Sequence, residues 1–122
     1  MRVAVIDDDA DTLRVLEEIL TVEGYTVRAF TDPEQALKEI PDFFPRAILL
    51  DVVMPKIDGA ELARRFQEHP DTANVPLILL TGLQSAAGPS RAWGHAIHAV
   101  IAKPVHSEEL LKILREAIES KM

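Results

Sequence analysis

Several side chains that could do chemistry stand at the ends of apolar runs. Asp51 closes the run Ala47-Ile48-Leu49-Leu50 and is followed by Val52-Val53-Met54-Pro55. A carboxylate in that place sits at the C-terminal end of a buried strand, where open α/β sheets hold their chemistry. Asp7 and Asp8 end the run Val3-Ala4-Val5-Ile6, Thr81 ends Leu77-Ile78-Leu79-Leu80, and Lys103 ends Ala99-Val100-Ile101-Ala102. Laid side by side, these strands bring three carboxylates, a hydroxyl and an ammonium to one rim. Like charges packed that closely repel, so a cation is needed to make the arrangement tolerable. The outline is that of a metal-assisted phosphoryl site.

The elements that position these groups follow from periodicity. Strand and helix signals alternate from end to end, which argues a doubly wound parallel sheet. Residues 2–6 form the first strand. Asp9 or Asp11 can cap a helix running to about Glu23, with Leu13, Leu16, Ile19 and Leu20 at helical spacing and Gly24 as its stop. Residues 25–30 make a second, more exposed strand. Asp32-Pro33-Glu34-Gln35 starts a short helix predicted to end near Ile40-Pro41. The third strand, 47–51, is the most apolar, as the centre of a parallel sheet must be. After the 54–59 loop, Leu62, Ala63 and Phe66 mark a helical face that closes before Pro70. Residues 76–81 and 99–102 read as the fourth and fifth strands. Ser107 caps a last helix whose buried stripe is Leu110, Leu111, Leu114, Ala117 and Ile118. Gly82, Gly88, Pro89 and Gly94 make the fourth helix, between the last two strands, short or disordered.

The totals mainly exclude. The 122 residues fit one domain spanning 1–122, and a hydrophobic share of 48% argues against disorder. With no cysteine there is no disulfide, thiolate nucleophile or cysteine-held metal, which suits a reducing cytoplasm. No apolar run reaches the roughly 20 residues needed to span a bilayer, so no membrane partner is expected. The net charge of −7, with scattered basic residues, makes nucleic acid a poor partner for this domain.

Taken together, Ile6-Asp7-Asp8, Asp51-x-x-Met54-Pro55-x-x-Asp58-Gly59, Thr81 and Lys103-Pro104 resemble the signature of response-regulator receiver domains across the whole chain. The resemblance implies a single five-stranded parallel sheet in the order 2-1-3-4-5 with helices on both faces. It implies that Asp51 accepts a phosphoryl group from a histidine kinase or phosphotransfer protein and that the domain then changes its binding to a downstream protein. A carboxylate can attack phosphorus in line, leaving the protein to position groups and neutralise charge. By the same resemblance, Asp8 and Asp51 ligate Mg²⁺ (or Mn²⁺) directly, Asp7 acts through a coordinated water, and the Val53 backbone carbonyl supplies a further oxygen. Lys103 pairs with one phosphoryl oxygen and the Thr81 hydroxyl with another, and a cis Lys103–Pro104 peptide aims the ammonium inward. Such a protein is a cytoplasmic signalling switch, not a metabolic enzyme, and it catalyses only its own phosphorylation and dephosphorylation.

The sequence departs from the family on one face. Val100 stands where an aromatic residue is usual, Ala96-Ile97 replaces a Gly-Ala pair, Gly82 replaces an alanine, and Gly88-Pro89 interrupts the fourth helix. The acceptor site is kept while the relay is altered, so ordering of residues 82–96 is the expected means of signalling. Val53 and Leu83 are apolar and cannot orient a water toward an acyl phosphate, which predicts slow self-dephosphorylation. If Val53→Asn or Leu83→Glu left the decay rate unchanged, that expectation would fail.

Other readings stay open at this level. Asp7, Asp8, Asp9 and Asp11 could be helix caps and first-turn acids. Asp7-x-Asp9-x-Asp11 with Glu18 imitates a calcium loop, but Thr12 stands where glycine is needed. A haloacid-dehalogenase-like phosphatase would use Asp7 and Asp9, yet leaves Asp51-x-x-Met-Pro unexplained. A constitutive protein-binding module could keep the site without signalling through it. His69, His95, His98 and His106 form no metal pattern, and Arg64-Arg65 reads as a solvated helix face. The chain is either a stand-alone receiver or a piece of a longer protein.

Overall fold

Parallel strands buried on both faces must be apolar throughout, and the third run of the sequence meets that demand most fully. The computed structural model, which describes residues 1–51, 59–81 and 97–120, places that run at the centre of a five-stranded parallel sheet. In chain order the described elements are β1 (Arg2–Ile6), α1 (Ala10–Val22), β2 (Thr26–Phe30), α2 (Pro33–Phe43), β3 (Ala47–Asp51), α3 (Gly59–Glu68), β4 (Leu77–Thr81), β5 (Ile97–Ala102) and α4 (Ser107–Ser120). The strand order is β2-β1-β3-β4-β5, as expected. Residues 82–96, where the short or disordered fourth helix was expected, lie outside the described residues, as does Val53.

Alternation along each strand divides the core into two. On one face Val3, Val5, Leu49, Ile78, Leu80 and Ile101 meet Leu13, Leu16 and Leu20 of α1 and Leu110, Leu114 and Ile118 of α4. On the other, Ala4, Ile6, Ile48, Leu50, Leu77 and Leu79 meet Ala36 and Ile40 of α2 and Leu62 and Phe66 of α3. Each fully buried leucine or isoleucine contributes about 1.5–3 kcal/mol over leaving it in water. With β3 packed on both faces, its register against β1 and β4 is firmly set.

Local chemistry sets the ends. Asp9 caps α1 by accepting from the Asp11 N–H, and Gly24, at φ +98°, continues the chain after the Glu23 C-cap in a conformation that favours glycine. Asp32 caps α2 in the same way, with Pro33 in its first turn.

Four expectations need correction. The α2 helix does not stop at Pro41 but runs through it to Phe43, and Phe44 closes it in the left-handed region at φ 52°. Proline inside a helix costs about 3 kcal/mol, and full burial of Ile40 together with burial of Pro41 offsets that. The α4 helix begins at Ser107 itself, and its first bond runs from the Leu110 N–H to the His106 carbonyl, so the cap falls at His106. Leu111 in that helix is only partly buried. The β5 strand starts two residues early, at Ile97. A register shift against Leu77 and Ile78 leaves His98 as an extra, exposed residue, in keeping with a surface histidine.

Candidate functional site

The registers assemble the rim. Ile6 pairs with Leu50, so Asp7 and Asp51 are the next residues along neighbouring central strands. Asp51 pairs with Leu80, and Thr81 follows it as the last residue of β4. Thr81 pairs with Ala102, which leaves Lys103 as the first residue past β5. Backbone bonds tie these ends across the sheet. The Asp7 N–H donates to the Phe30 carbonyl at 3.1 Å, and the Lys103 N–H donates to the Thr81 carbonyl at 2.7 Å. The Lys103–Pro104 peptide is cis, as the resemblance implies.

Carboxylate oxygens of Asp7, Asp8 and Asp51 lie within 4.8 Å of one another. Asp7 is fully buried and Asp51 nearly so, whereas Asp8 is exposed. The Lys103 ammonium sits between the two buried acids, 2.9 Å from Asp7 Oδ2 and 3.5 Å from Asp51 Oδ2. The other oxygen of Asp7 accepts the Asp9 N–H at 3.0 Å. Burial works against the charge on Lys103. Its hydrogen bond and charge interaction with Asp7, then with Asp51, outweigh that burial and hold its pKa above the ordinary lysine value.

The Lys103 ammonium meets two of these three carboxylates, and like charges gathered this closely favour a bound cation. The donors are all hard oxygens, and one of them is open to solvent. That set fits Mg²⁺, which prefers oxygen ligands and retains waters.

Every expected site residue that is described therefore reaches the rim: Asp7, Asp8, Asp51, Thr81 and Lys103. Val53 lies outside the described residues. Sequence reasoning missed two contacts. It aimed Lys103 at a phosphoryl oxygen, while its nearest partner here is Asp7. It also read Asp9 as a plain cap and overlooked its N–H on Asp7. An Asp three residues before Thr12, with Asp7 two residues upstream, was the available signal. In the rival phosphatase reading Asp7 and Asp9 would be nucleophile and acid. Here Asp7 accepts the Asp9 N–H and pairs with Lys103, and Asp9 accepts the Asp11 N–H and the Thr12 hydroxyl as the cap of α1. The would-be calcium loop is instead the short connection after β1 and the first turns of α1. Arg64 and Arg65 are exposed and paired with Glu61 and Glu68, a solvated face.

A five-stranded doubly wound sheet with an acidic pocket and one lysine at its C-terminal rim defines a class of phosphoryl-responsive signalling domains, and comparison with known proteins agrees. A family model of the response regulator receiver domain matches residues 3–115. The response regulator MprA of Mycobacterium ulcerans is 33% identical over 115 residues, which cover 94% of this chain and 49% of that protein. The response regulator PleD of Caulobacter vibrioides is 31% identical over 121 residues, 99% of this chain and 27% of that protein. Among solved structures, the CheY-like response regulator receiver domain protein of Methanospirillum hungatei JF-1 aligns with a TM-score of 0.84 and 27% identity over 98% of this chain and 94% of that one. The chain belongs to the response regulator receiver domain family. It spans about half the length of MprA and about a quarter of PleD. Receiver domains serve phosphorylation-dependent signalling, working with histidine kinases or phosphotransfer proteins and with downstream effectors. Among the described residues, no helix is long and apolar enough to cross a membrane.

Proposed function

We propose that residues 1–122 form one receiver domain whose Asp51 takes a phosphoryl group from a phosphohistidine donor in the cytoplasm. The observation that carries this reading is the Asp7–Lys103–Asp51 bridge at the rim of the central strands. An Asp51 carboxylate oxygen forms the new bond to phosphorus as the bond to the donor nitrogen breaks, and the imidazole leaves with the electron pair and takes up a proton. Little covalent work is left for the protein, so positioning and charge carry the catalysis.

Burial of Asp51 and its contact with the Lys103 ammonium hold the nucleophile in place. Asp8, Asp51 and, more remotely, Asp7 would hold Mg²⁺, which when bound would neutralise charge on the transferring group. Lys103 is placed to follow that charge, with Thr81 beside it on β4. Between α1 and the segment after β5 runs an open groove of about 580 Å³, lined by Thr12, Val15, Ile19, Pro104, Val105 and Lys103 itself. Its apolar wall includes Val15, which is 55% exposed. Because its lining includes the lysine that touches Asp51, we assign the groove to the donor protein.

Phosphorylation would then alter affinity for a downstream protein. The state of Val53, Leu83 and residues 82–96, on which lifetime and signal output were expected to depend, lies outside the described residues. Intact mass after incubation with acetyl phosphate tests the reading. Gain of one phosphoryl group that needs Mg²⁺ and is lost in Asp51→Asn supports it. Gain that persists in Asp51→Asn refutes Asp51 as the acceptor, and no gain under any condition leaves the constitutive binding module.

A further inference from the structure

We propose that Asp9 is a positioning residue for the acidic pocket, holding Asp7 through its backbone while its side chain holds α1. This rests on the reading of the pocket as a cation and phosphoryl site. Asp9 is not among the acids whose oxygens lie within 4.8 Å of one another, and its side chain is turned to the helix instead. Every polar group of Asp9 is committed. Its Oδ1 accepts the Asp11 N–H at 3.1 Å, its Oδ2 accepts the Thr12 hydroxyl at 2.8 Å, and its carbonyl accepts the Leu13 N–H at 3.1 Å. These three bonds fix its backbone at φ −91° and ψ 109°, and the remaining N–H then points at Asp7 Oδ1.

The consequence falls on Asp7. A buried carboxylate can turn about its last bond unless both oxygens are pinned. Asp7 has one oxygen on the Asp9 N–H and the other on the Lys103 ammonium. The first contact is short-range and rigid, since only two residues separate donor and acceptor. The second comes from a long side chain just past the distant strand β5. With the first in place, Asp7 offers Oδ2 alone to the pocket, toward Lys103 and any water held by a cation. Without it the carboxylate can rotate, and the three acids lose their shared geometry. Thr12 belongs to the same device, because its hydroxyl anchors the Asp9 side chain. It also lines the groove beside α1, so contact with a partner there would bear directly on the bond that sets Asp9.

A residue that merely capped α1 would change stability and nothing else, and that separates the two roles. Asp9→Ala, Asp9→Asn and Thr12→Val are compared with the parent chain by calorimetric titration with Mg²⁺. Exchange of the residue-9 amide and thermal unfolding are followed in the same proteins without metal. Loss of a group that holds a metal ligand from behind typically weakens binding by about tenfold or more. We expect about tenfold weaker Mg²⁺ binding and a fast-exchanging residue-9 amide in Asp9→Ala. Asn keeps the capping oxygen, so Asp9→Asn should stay within about threefold of the parent, the margin for losing one exposed, screened charge. Thr12→Val, which keeps that charge, should fall between.

Equal weakening in Asp9→Ala and Asp9→Asn would assign the effect to charge and overturn the proposal. So would an Asp9→Ala chain that melts lower yet binds Mg²⁺ as the parent does. Failure of the parent to bind Mg²⁺ would instead refute the reading of the pocket. In that case the metal-free exchange of the residue-9 amide still decides whether Asp9 is clamped on Asp7, because an unprotected amide in the parent would overturn the clamp.

Discussion

Replacing Lys103 with methionine removes the ammonium that bridges two buried acids and keeps most of the apolar stem. Removing one partner of a buried ion pair costs about 3–5 kcal/mol, because the other charge is left without compensation. Here Asp7 is wholly buried but the Lys103 side chain is 26% exposed, so solvent already screens part of the pair. The abandoned carboxylate can also take up a proton, which caps the penalty. Both arguments put the loss at the low end, about 2–3 kcal/mol. That is a large part of the roughly 5–15 kcal/mol that holds a domain of this kind together. With a urea slope of about 2 kcal/mol per molar, the midpoint should fall by about 1–1.5 M in metal-free buffer at neutral pH.

The same cycle run with Asp7→Asn isolates the interaction. In the Asp7→Asn background, Lys103→Met should cost less than half as much, because the acid that needed the ammonium is gone. Saturating Mg²⁺ should restore stability to Lys103→Met by supplying the missing positive charge, by about 2.7 kcal/mol at a hundredfold excess over its Kd. An equal cost in both backgrounds would refute the claim that Lys103 is the internal counter-ion of Asp7. So would a Lys103→Met chain as stable as the parent without metal.

Further expectations follow from the same contacts. The pKa of Lys103 is raised in the folded chain, where its pairing with Asp7 and Asp51 outweighs its burial. Its stabilisation is therefore complete below the unfolded lysine value of about 10.4 and lost as pH rises through the folded value. Tyr25, raised by burial, shifts stability in the same direction. The decline in urea midpoint above about pH 10 should thus be steeper in the parent than in Lys103→Met, and parallel curves would count against the pairing. Ile48 is fully buried on the central strand, and Ile48→Ala should cost about 2–5 kcal/mol by chemical denaturation. Gly24 has open space around its Cβ position but a φ of +98°, so Gly24→Ala should cost about 1 kcal/mol from backbone strain alone.

Much of this molecule was legible in its sequence because parallel strands covered on both faces leave a plain mark. Ala47 to Leu50 had to be central, and Asp51 had to stand at its end. The convergence of Asp7, Asp8, Thr81 and Lys103 followed once the strands were laid in order, and that order came from the resemblance rather than from periodicity. What could not be read depends on contacts that no spacing encodes. Pro41 marks a helix end by its missing N–H, yet burial of Ile40 and the left-handed turn at Phe44 carry α2 past it. Lys103 and Asp7 are 96 residues apart in sequence, and which acid the ammonium favours is decided by side-chain reach across the sheet. The early start of β5 depends on an irregular register with Leu77, which a run of apolar residues cannot announce.

The central claim, that Asp51 carries the phosphoryl group, is tested most directly by chemical trapping. An acyl phosphate on aspartate is reduced by borohydride to homoserine, whereas phosphate esters and phosphoramidates do not give that product. Cleavage after Arg46 and Lys56 releases residues 47–56, in which Asp51 is the sole carboxylate side chain. After phosphorylation in Mg²⁺ and reduction, homoserine should appear at position 51 in that peptide and be absent when phosphodonor or metal is withheld. Homoserine at Asp7, Asp8 or Asp9 instead, with the 47–56 peptide unmodified, would contradict the assignment of Asp51 as the acceptor.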